Sequence, residues 1–133
     1  MTETILIVDD DEDLMEIVAE RLVHRGIKVD TATSAETALT RMEKTRYDAI
    51  VLDFLLPGMD GFENIRTIRK EHPDIRIILV TGQIPADGGR EIKRMGADIV
   101  LEKPADLEVL AKAVRSEKKP RHPSPRCRPV TDK

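Results

Sequence analysis

The sequence predicts an α/β fold built on a largely parallel sheet. Short, almost continuous apolar runs alternate with longer amphipathic segments along the first 115 residues. This alternation is typical of strands that are buried on both faces and connected by helices. Polar residues also follow the ends of the apolar runs, and the carboxyl ends of parallel strands meet at the edge of a sheet where ligands bind. The same pattern therefore predicts both a fold and the place of a site.

Five apolar runs are the predicted strands. They consist mainly of Ile, Leu, Val and Ala, residues that suit a buried strand. Aromatic residues make up only 2% of the chain, so aliphatic side chains and methionine must form the core. The predicted strands are Ile5–Val8, Ile27–Ala32, Ala49–Leu52, Ile75–Val80 and Ile99–Leu101.

The first amphipathic segment predicts a helix from about Asp11 to His24. Asp11 is a favourable helix start, and Gly26 is a natural left-handed residue after the helix end. Four apolar residues recur at helical spacing and predict one apolar face: Leu14, Ile17, Val18 and Leu22.

Four more helices follow from start signals and helix breakers. Ser34 and Asp60 are good N-caps for the second and third helices. Gly88 and Gly89 each cost about 1 kcal/mol relative to alanine inside a helix, so the first turn of the fourth helix should fray. The predicted ranges are 34–44, from 60 to before Pro73, 87–95 and 105–115.

Charge is distributed unevenly along the chain. The net charge is −3, but residues 116–133 contain six Lys/Arg and two acidic residues, which leaves −7 on residues 1–115. An acidic body argues against nucleic-acid binding by the folded part. The last 18 residues also hold four of the eight prolines and no apolar periodicity. We therefore expect a disordered, basic, proline-rich tail at 116–133.

Cysteine content and hydropathy bear on the compartment. Cys127 is the single cysteine and has no partner for an internal disulfide, which suits a reducing environment. No apolar run approaches the roughly 18 residues that a membrane span requires, and no signal peptide is visible. We expect a cytoplasmic protein that does not act in the membrane.

An acidic cluster, Asp9-Asp10-Asp11, follows the first predicted strand. Asp11 can be explained as a helix cap. Asp9 and Asp10 need another explanation, because adjacent carboxylates at one strand end repel each other unless a cation is bound. Mg²⁺ prefers oxygen ligands and usually takes one or two protein carboxylates, so these residues are candidate metal ligands.

Three further polar residues follow later strands. Asp53 is either a turn residue or a candidate carboxylate nucleophile. Thr81 alone would be a structural hydroxyl, and Lys103 alone a solvated surface charge. Together with Asp9 and Asp10, however, they place carboxylates, a hydroxyl and an ammonium at one edge of the sheet. That set suits a metal ion and a phosphoryl group.

These motifs in combination resemble the receiver domain of two-component response regulators. The resemblance covers residues 4 to about 115 and rests on four segments. It implies a flavodoxin-like, five-stranded parallel sheet of order 2-1-3-4-5 flanked by five helices, with residues 1–115 as the receiver domain. The segments are Ile5–Asp11, Asp53 with Pro57–Gly61, Leu79–Gly82 and Glu102–Pro104.

The resemblance implies a phosphoacceptor and a metal site. Asp53 would attack a phosphohistidine on a sensor histidine kinase or a phosphotransfer protein. Asp10 and Asp53 would supply carboxylates to Mg²⁺, Asp9 would hold a metal-bound water, and Leu55 would offer its backbone carbonyl. The chain would thus be a signalling switch, and an enzyme at most in its own phosphorylation and dephosphorylation.

Further roles follow from the same resemblance. Thr81 and Lys103 would each bind a phosphoryl oxygen, and the Lys103–Pro104 bond would be cis. Movement of Thr81 would change the loop and the fourth helix that an unknown downstream effector reads. Receivers usually carry Tyr or Phe at the switch position three residues before the lysine, whereas this chain has Val100. Leu55 and Gln83 stand at positions that help set the phosphoryl lifetime in this family.

Two alternatives remain beside the phosphorylated switch. A Mg²⁺-dependent phosphatase of the haloacid dehalogenase type uses a similar set of residues, but it usually has a second Asp two residues after the nucleophile, where this chain has Leu55. A receiver that acts by binding alone is the other alternative. A dinucleotide-binding domain is disfavoured because no G-x-G-x-x-G follows the first strand.

Overall fold

Five strands and five helices alternate along the chain in the computed structural model, which describes residues 3–54, 61–103 and 106–115. The strands are β1 (Thr4–Val8), β2 (Lys28–Ala32), β3 (Ala49–Asp53), β4 (Arg76–Thr81) and β5 (Ile99–Glu102). The helices are α1 (Glu12–His24), α2 (Ala35–Lys44), α3 (Gly61–Glu71), α4 (Arg90–Met95) and α5 (Leu107–Arg115).

The strands form one parallel sheet in the order β2-β1-β3-β4-β5. The register places the last residues of the central strands side by side: Val8 lies opposite Leu52, and Asp53 lies opposite Val80. The predicted flavodoxin-like fold is therefore confirmed. All five strands consequently end at the same edge, which we call the carboxyl end of the sheet.

Alternate residues of each strand face two separate core layers. Leu6 and Val8 of β1 pack with residues of α2, α3 and α4, whereas Ile5 and Ile7 pack with residues of α1 and α5. The layer of α1 and α5 is aliphatic apart from Met15, as the composition predicts, whereas the other layer also contains the buried Tyr47, with Phe54 and Phe62 packed against it. This arrangement fixes the central strands rigidly beneath the loops that follow them.

Side-chain caps begin the first two helices where the sequence predicts them. Asp11 Oδ1 accepts a hydrogen bond of 3.0 Å from the backbone N–H of Leu14, and Ser34 Oγ accepts one of 3.1 Å from Thr37. Gly26, beyond the end of α1, has a φ of 86°, a conformation that favours glycine. These three predictions are confirmed.

Strand boundaries and strand burial differ slightly from the predictions. Strands β3 and β4 extend one residue further, to Asp53 and Thr81, so both residues belong to the sheet. The expectation of burial on both faces holds for β1, β3 and β4 but not for β2 and β5, which lie at the sheet edges. Ala32 is the only buried residue of β2, and β5 has none.

The apolar face predicted for the first helix is only partly buried. Met15 and Leu22 are the buried residues of α1, while Leu14 and Ile17 are 39% and 51% exposed. Helical spacing identified an apolar stripe correctly, but it could not show that the sheet and α5 cover only one side of that stripe.

Helix α4 is shorter than predicted. It begins at Arg90 rather than at residue 87, because Gly88 and Gly89 have φ angles of 75° and 83° and do not continue a right-handed helix. Helix α5 begins at Leu107, where Asp106 Oδ1 accepts a hydrogen bond of 2.7 Å from the backbone N–H of Glu108. The two glycines therefore exclude the first turn of α4 rather than merely fray it.

Several predictions lie outside the described residues: the Asp60 cap, the Leu55 carbonyl, the cis Lys103–Pro104 bond and the tail at 116–133. Among the helices that the structure describes, none is both long enough and apolar enough to cross a membrane.

Candidate functional site

Four strands bring their following residues to the carboxyl end of the sheet. Asp9 follows β1, Asp53 and Thr81 end β3 and β4, and Lys103 follows β5. Backbone hydrogen bonds extend the sheet at this end: Asp9 N donates to Ala32 O over 3.1 Å, and Lys103 N donates to Thr81 O over 2.7 Å. The rigid sheet therefore sets the positions of these side chains.

Three carboxylates form a compact group at this end. Asp9, Asp10 and Asp53 each offer an oxygen, and these oxygens lie within 4.8 Å of one another. Asp9 and Asp53 are both 7% exposed, whereas Asp10 is exposed. The donor set consists entirely of carboxylate oxygens, which is the ligand chemistry that Mg²⁺ and Ca²⁺ prefer. The side chains present therefore fit a hard divalent cation.

Lys103 bridges two of the three carboxylates. Its Nζ lies 3.2 Å from Asp53 Oδ2 and 3.3 Å from Asp9 Oδ2. Burial acts to lower the pKa of Lys103, but the charges and hydrogen bonds of Asp53 and Asp9 outweigh burial and raise it above its ordinary value. Lys103 is therefore a fully charged ammonium at neutral pH, and the sequence alone did not show that it contacts both acids.

Each carboxylate oxygen of Asp9 has its own hydrogen-bond partner. The backbone N–H of Asp11 donates a hydrogen bond of 3.0 Å to Asp9 Oδ1, while Oδ2 faces Lys103. Asp11 itself caps α1, which confirms the structural explanation that its position suggested. The acidic cluster is thus divided: Asp11 serves the helix, and Asp9 and Asp10 face the site.

Thr81 is almost completely buried at the end of β4, with 3% exposure. Its hydroxyl donates a hydrogen bond of 3.2 Å to the backbone carbonyl of Gln83, and its oxygen accepts one of 3.4 Å from the N–H of the same residue. The hydroxyl is consequently engaged by its own loop rather than by the carboxylates.

An apolar cavity of about 340 Å³ adjoins the carboxylates and was not expected from the sequence. Asp9, Asp53 and Lys103 line its polar end, and Leu14, Val18 and Leu110 of α1 and α5 line its apolar end. No local pattern predicts this cavity, because the exposure of the apolar stripe of α1 depends on how far the sheet and α5 cover it. A larger cavity, of about 540 Å³, lies at the opposite end of the sheet between the α2–β3 and α3–β4 connections, away from the carboxylates.

Val100, the predicted switch residue, lies on the edge strand β5 and packs against the core layer of α2, α3 and α4. In the pairing of β4 with β5, Val100 lies opposite Leu79, and Leu79 is two residues before Thr81. The structure therefore places Val100 near Thr81 along the sheet but outside the carboxylate group.

Comparison with known proteins places this arrangement in one family. A family model described as the response regulator receiver domain matches residues 5–115. Sporulation initiation phosphotransferase F of Bacillus subtilis is 33% identical over 86% of this chain and 93% of its own length. The probable transcriptional regulatory protein TcrX of Mycobacterium tuberculosis is 29% identical over 85% of this chain, which spans only 48% of TcrX.

Solved structures agree with the family match. A response regulator protein from Burkholderia pseudomallei, solved with a phosphorylated aspartic acid, a calcium ion and citrate, aligns with a TM-score of 0.78 at 28% identity. The alignment covers 86% of this chain and 67% of that protein. The sheet order, the carboxylate group and the extent of these matches lead to one conclusion: the chain belongs to the response regulator receiver domain family.

Proposed function

We propose that the chain is a phosphorylation-dependent signalling switch in which Asp53 accepts a phosphoryl group from a sensor histidine kinase or a phosphotransfer protein. The observation that supports this most is the grouping of Asp9, Asp10 and Asp53 within 4.8 Å around a lysine. Family membership and the phosphorylated aspartic acid of the Burkholderia relative give independent support.

The metal in this proposal is Mg²⁺, which Asp10 and Asp53 would hold, with Asp9 contacting it through a water and the Leu55 carbonyl as a further ligand. When bound, Mg²⁺ would neutralise charge on the transferred phosphoryl oxygens. The oxygen-only donor set of the carboxylates supports a hard cation over zinc or copper.

Asp53 performs the covalent step. One of its carboxylate oxygens attacks phosphorus, an acyl phosphate bond forms, and the phosphorus–nitrogen bond of the donor histidine breaks with its electron pair staying on that nitrogen. Phosphoryl transfer depends chiefly on positioning and on charge neutralisation. Strand β3 provides the positioning, because Asp53 is its last residue and is paired with Val80.

Lys103 and Thr81 bind the phosphoryl oxygens. Lys103 is already charged and lies 3.2 Å from Asp53, so a new oxygen at that carboxylate comes within its reach. For Thr81 to donate to the phosphoryl group, its hydroxyl must leave the carbonyl of Gln83. That exchange moves the β4–α4 loop and alters the surface, including Val100 and α4, that a downstream effector reads.

The setting of this function is a two-component system or phosphorelay in the bacterial cytoplasm. The acidic folded body argues against direct nucleic-acid binding by the receiver itself. The downstream effector is another protein or a further domain, as the greater length of TcrX illustrates for a relative.

The test is the mass of the intact protein after incubation with acetyl phosphate and Mg²⁺. We expect the wild-type chain and an Asp74→Asn control, whose carboxylate is exposed at the other end of the sheet, to gain one phosphoryl group. Asp53→Asn should gain none, and chelation of the metal should abolish labelling of all variants. Equal labelling of Asp53→Asn would overturn the assignment of the acceptor. No labelling of the wild type, even by candidate kinases, would favour a receiver that acts by binding alone.

A further inference from the structure

The two ends of α4 are attached to the rest of the molecule in very different ways. At its carboxyl end, the Arg69 guanidinium donates two hydrogen bonds to the carbonyl of Gly96, of 3.2 Å from Nε and 2.7 Å from Nη2. The side chain of Arg69 also packs on Gly96, where an added Cβ would lie 3.1 Å from Arg69 Cβ. Gly96 is thus fixed both by hydrogen bonds and by contact.

Arg69 is itself fixed by several elements. It forms an ion pair of 2.9 Å with Asp98 and donates hydrogen bonds of 2.8 Å to the carbonyls of Pro73 and Ile75. Asp98 Oδ2 also accepts a hydrogen bond of 2.8 Å from Ile77 N in β4. The carboxyl end of α4 is therefore tied through one guanidinium to α3, to the α3–β4 connection and to the sheet.

The amino end of α4 has a much lighter attachment. Gly89 is the N-cap residue and offers no side chain, and both Gly88 and Gly89 have positive φ angles. The backbone N–H groups of Gly89 and Glu91 donate to the carboxylate of Asp87, which is exposed to solvent. These bonds are charge-assisted but local, because Asp87 lies only two and four residues before the donors. They cap the helix without tying it to the sheet or to another helix, so this end moves more easily with its loop.

Gly89 is also the point where α4 touches the switch position. It is buried, and a Cβ added to it would lie 3.3 Å from Cγ2 of Val100 and 3.5 Å from two further Val100 atoms. Gly88, one residue earlier and also at positive φ, has no atom within 4 Å of such a Cβ. The backbone of Gly89 therefore lies directly on the Val100 side chain.

We propose that α4 is a hinged helix, with a pivot at Gly96 held by Arg69 and a moving end at Gly89 that lies on Val100. This inference rests on the proposed function for its trigger: departure of the Thr81 hydroxyl from Gln83 pulls the loop that leads to Gly89. The moving end then leaves Val100 and exposes it. An aliphatic residue suffices at position 100 because it is uncovered by the helix and does not itself need to rotate.

The pivot and the contact are tested without phosphorylation, by amide hydrogen exchange followed by NMR. Arg69→Met should accelerate exchange at Gly96 and Ala97 by about tenfold or more while changing Gly89 and Glu91 little. Arg66→Met, on an exposed position of the same helix, is the control and should change neither end. Core amides of β4 report any global loss of stability in Arg69→Met, and equal acceleration at both ends of α4 beyond that of these amides would overturn the pivot.

The Val100 contact is tested by a matched pair of glycine variants. Gly88→Ala and Gly89→Ala both place an alanine at a positive φ, but only the second places a Cβ against Val100. We expect faster exchange at Glu91 and Lys93 in Gly89→Ala than in Gly88→Ala, and we expect Val100→Ala to remove that difference. Equal exchange in the two glycine variants would overturn the contact as a coupling element.

The trigger is tested with the phosphorylated chain, whose state is verified by intact mass in the same sample. Exchange at Gly89 and Glu91 should become at least about threefold faster, and exchange at Gly96 and Ala97 should stay within about twofold. Equal change at both ends of a chain that carries the phosphoryl group would overturn the hinge. A chain that gains no mass on incubation contradicts the proposed function and therefore also the phosphorylation-driven movement of α4. The exchange measurements on the unphosphorylated variants still test the pivot at Gly96 and the contact between Gly89 and Val100.

Discussion

Partly or fully buried carboxylates lie at both ends of the sheet, but their negative charge is balanced differently at each end. Within the described residues, the carboxyl end gathers the three carboxylates of Asp9, Asp10 and Asp53 around the single ammonium of Lys103. At the opposite end, which we call the amino end, the partly buried Asp98, just before β5, meets matching donors.

The amino end satisfies its polar groups within the chain. Asp98 receives Arg69 at 2.9 Å and the N–H of Ile77 at 2.8 Å. Asp48, just before β3, receives the N–H of Thr4 at 2.8 Å, and Asp30, in the middle of β2, receives the hydroxyl of Tyr47 at 2.6 Å. These pairs join elements that are distant in sequence, so they stabilise the fold.

This contrast distinguishes carboxylates that stabilise the fold from carboxylates that indicate a binding site. A partly buried carboxylate that is balanced by donors contributes to stability, whereas carboxylates in excess of their cation repel each other and favour a bound cation. The excess negative charge at the carboxyl end is therefore the feature that indicates a site, more than the presence of any single acid.

The largest expected effect is at the amino end. Arg69→Met removes the cation from Asp98 and the donors from the carbonyls of Gly96, Pro73 and Ile75. Breaking a largely buried ion pair by deleting one partner costs about 3–5 kcal/mol. Urea denaturation should show a loss of unfolding free energy in this range.

Arg66→Met is the matched control for that experiment, because Arg66 lies exposed on the same helix. Its unfolding free energy should stay within about 0.5 kcal/mol of the wild type. A comparable loss in both variants would show that Arg69 contributes through helix propensity or net charge, not through its contacts.

A smaller loss is expected from Tyr47→Phe, which removes the 2.6 Å hydrogen bond to Asp30. One such hydrogen bond contributes about 1 kcal/mol. Burial, followed by the hydrogen bond and charge of Asp30, raises the pKa of Tyr47 from 10.0 to about 12. The folded chain thus holds this proton more tightly than the unfolded chain does, so the contribution is complete below pH 10 and declines as the pH rises towards 12.

The pH dependence of thermal stability tests this prediction. Thermal melts at alkaline pH should show a decline in the wild type between pH 10 and 12 that exceeds the decline in Tyr47→Phe. Parallel declines in the two proteins would mean that Tyr47 does not titrate in this way.

The smallest effect has the opposite sign and belongs to the carboxyl end. Asp10 is exposed and lies within 4.8 Å of the other two carboxylates. Asp10→Asn removes repulsion of up to about 1 kcal/mol at this separation in a water-like medium. We expect the variant to be slightly more stable than the wild type in metal-free buffer, and thermal melts in the presence of Mg²⁺ should reverse that order. A variant that is less stable in both buffers would contradict a charge excess at this end.

Local sequence pattern predicted most of the sheet and the gathering of polar side chains at its carboxyl end. Apolar runs identified every strand to within one residue at each end. The convergence of Asp9, Asp53, Thr81 and Lys103 then followed from the rule that parallel strands end at one edge. The order of the strands came from the family resemblance and not from these patterns.

Features that depend on contacts between distant segments could not be predicted in this way. Arg69 reads as a solvated charge on an amphipathic helix, and nothing local connects it to Asp98, 29 residues away. The exposure of Leu14 and Ile17 depends on how far the sheet and α5 extend over α1. The sequence predicted that α4 begins at residue 87, whereas the helix begins at Arg90. The difference arises because Gly88 and Gly89 both adopt positive φ angles, which local pattern does not specify.

The most direct test of the carboxyl end as a cation site is calorimetric titration of the wild type, Asp10→Asn and Asp74→Asn with Mg²⁺. Asp74 supplies a matched exposed carboxylate at the amino end. We expect the wild type and Asp74→Asn to bind one Mg²⁺ with equal affinity and Asp10→Asn to bind it at least about tenfold more weakly. Equal affinity in all three proteins, or no binding by the wild type at millimolar Mg²⁺, would contradict the account.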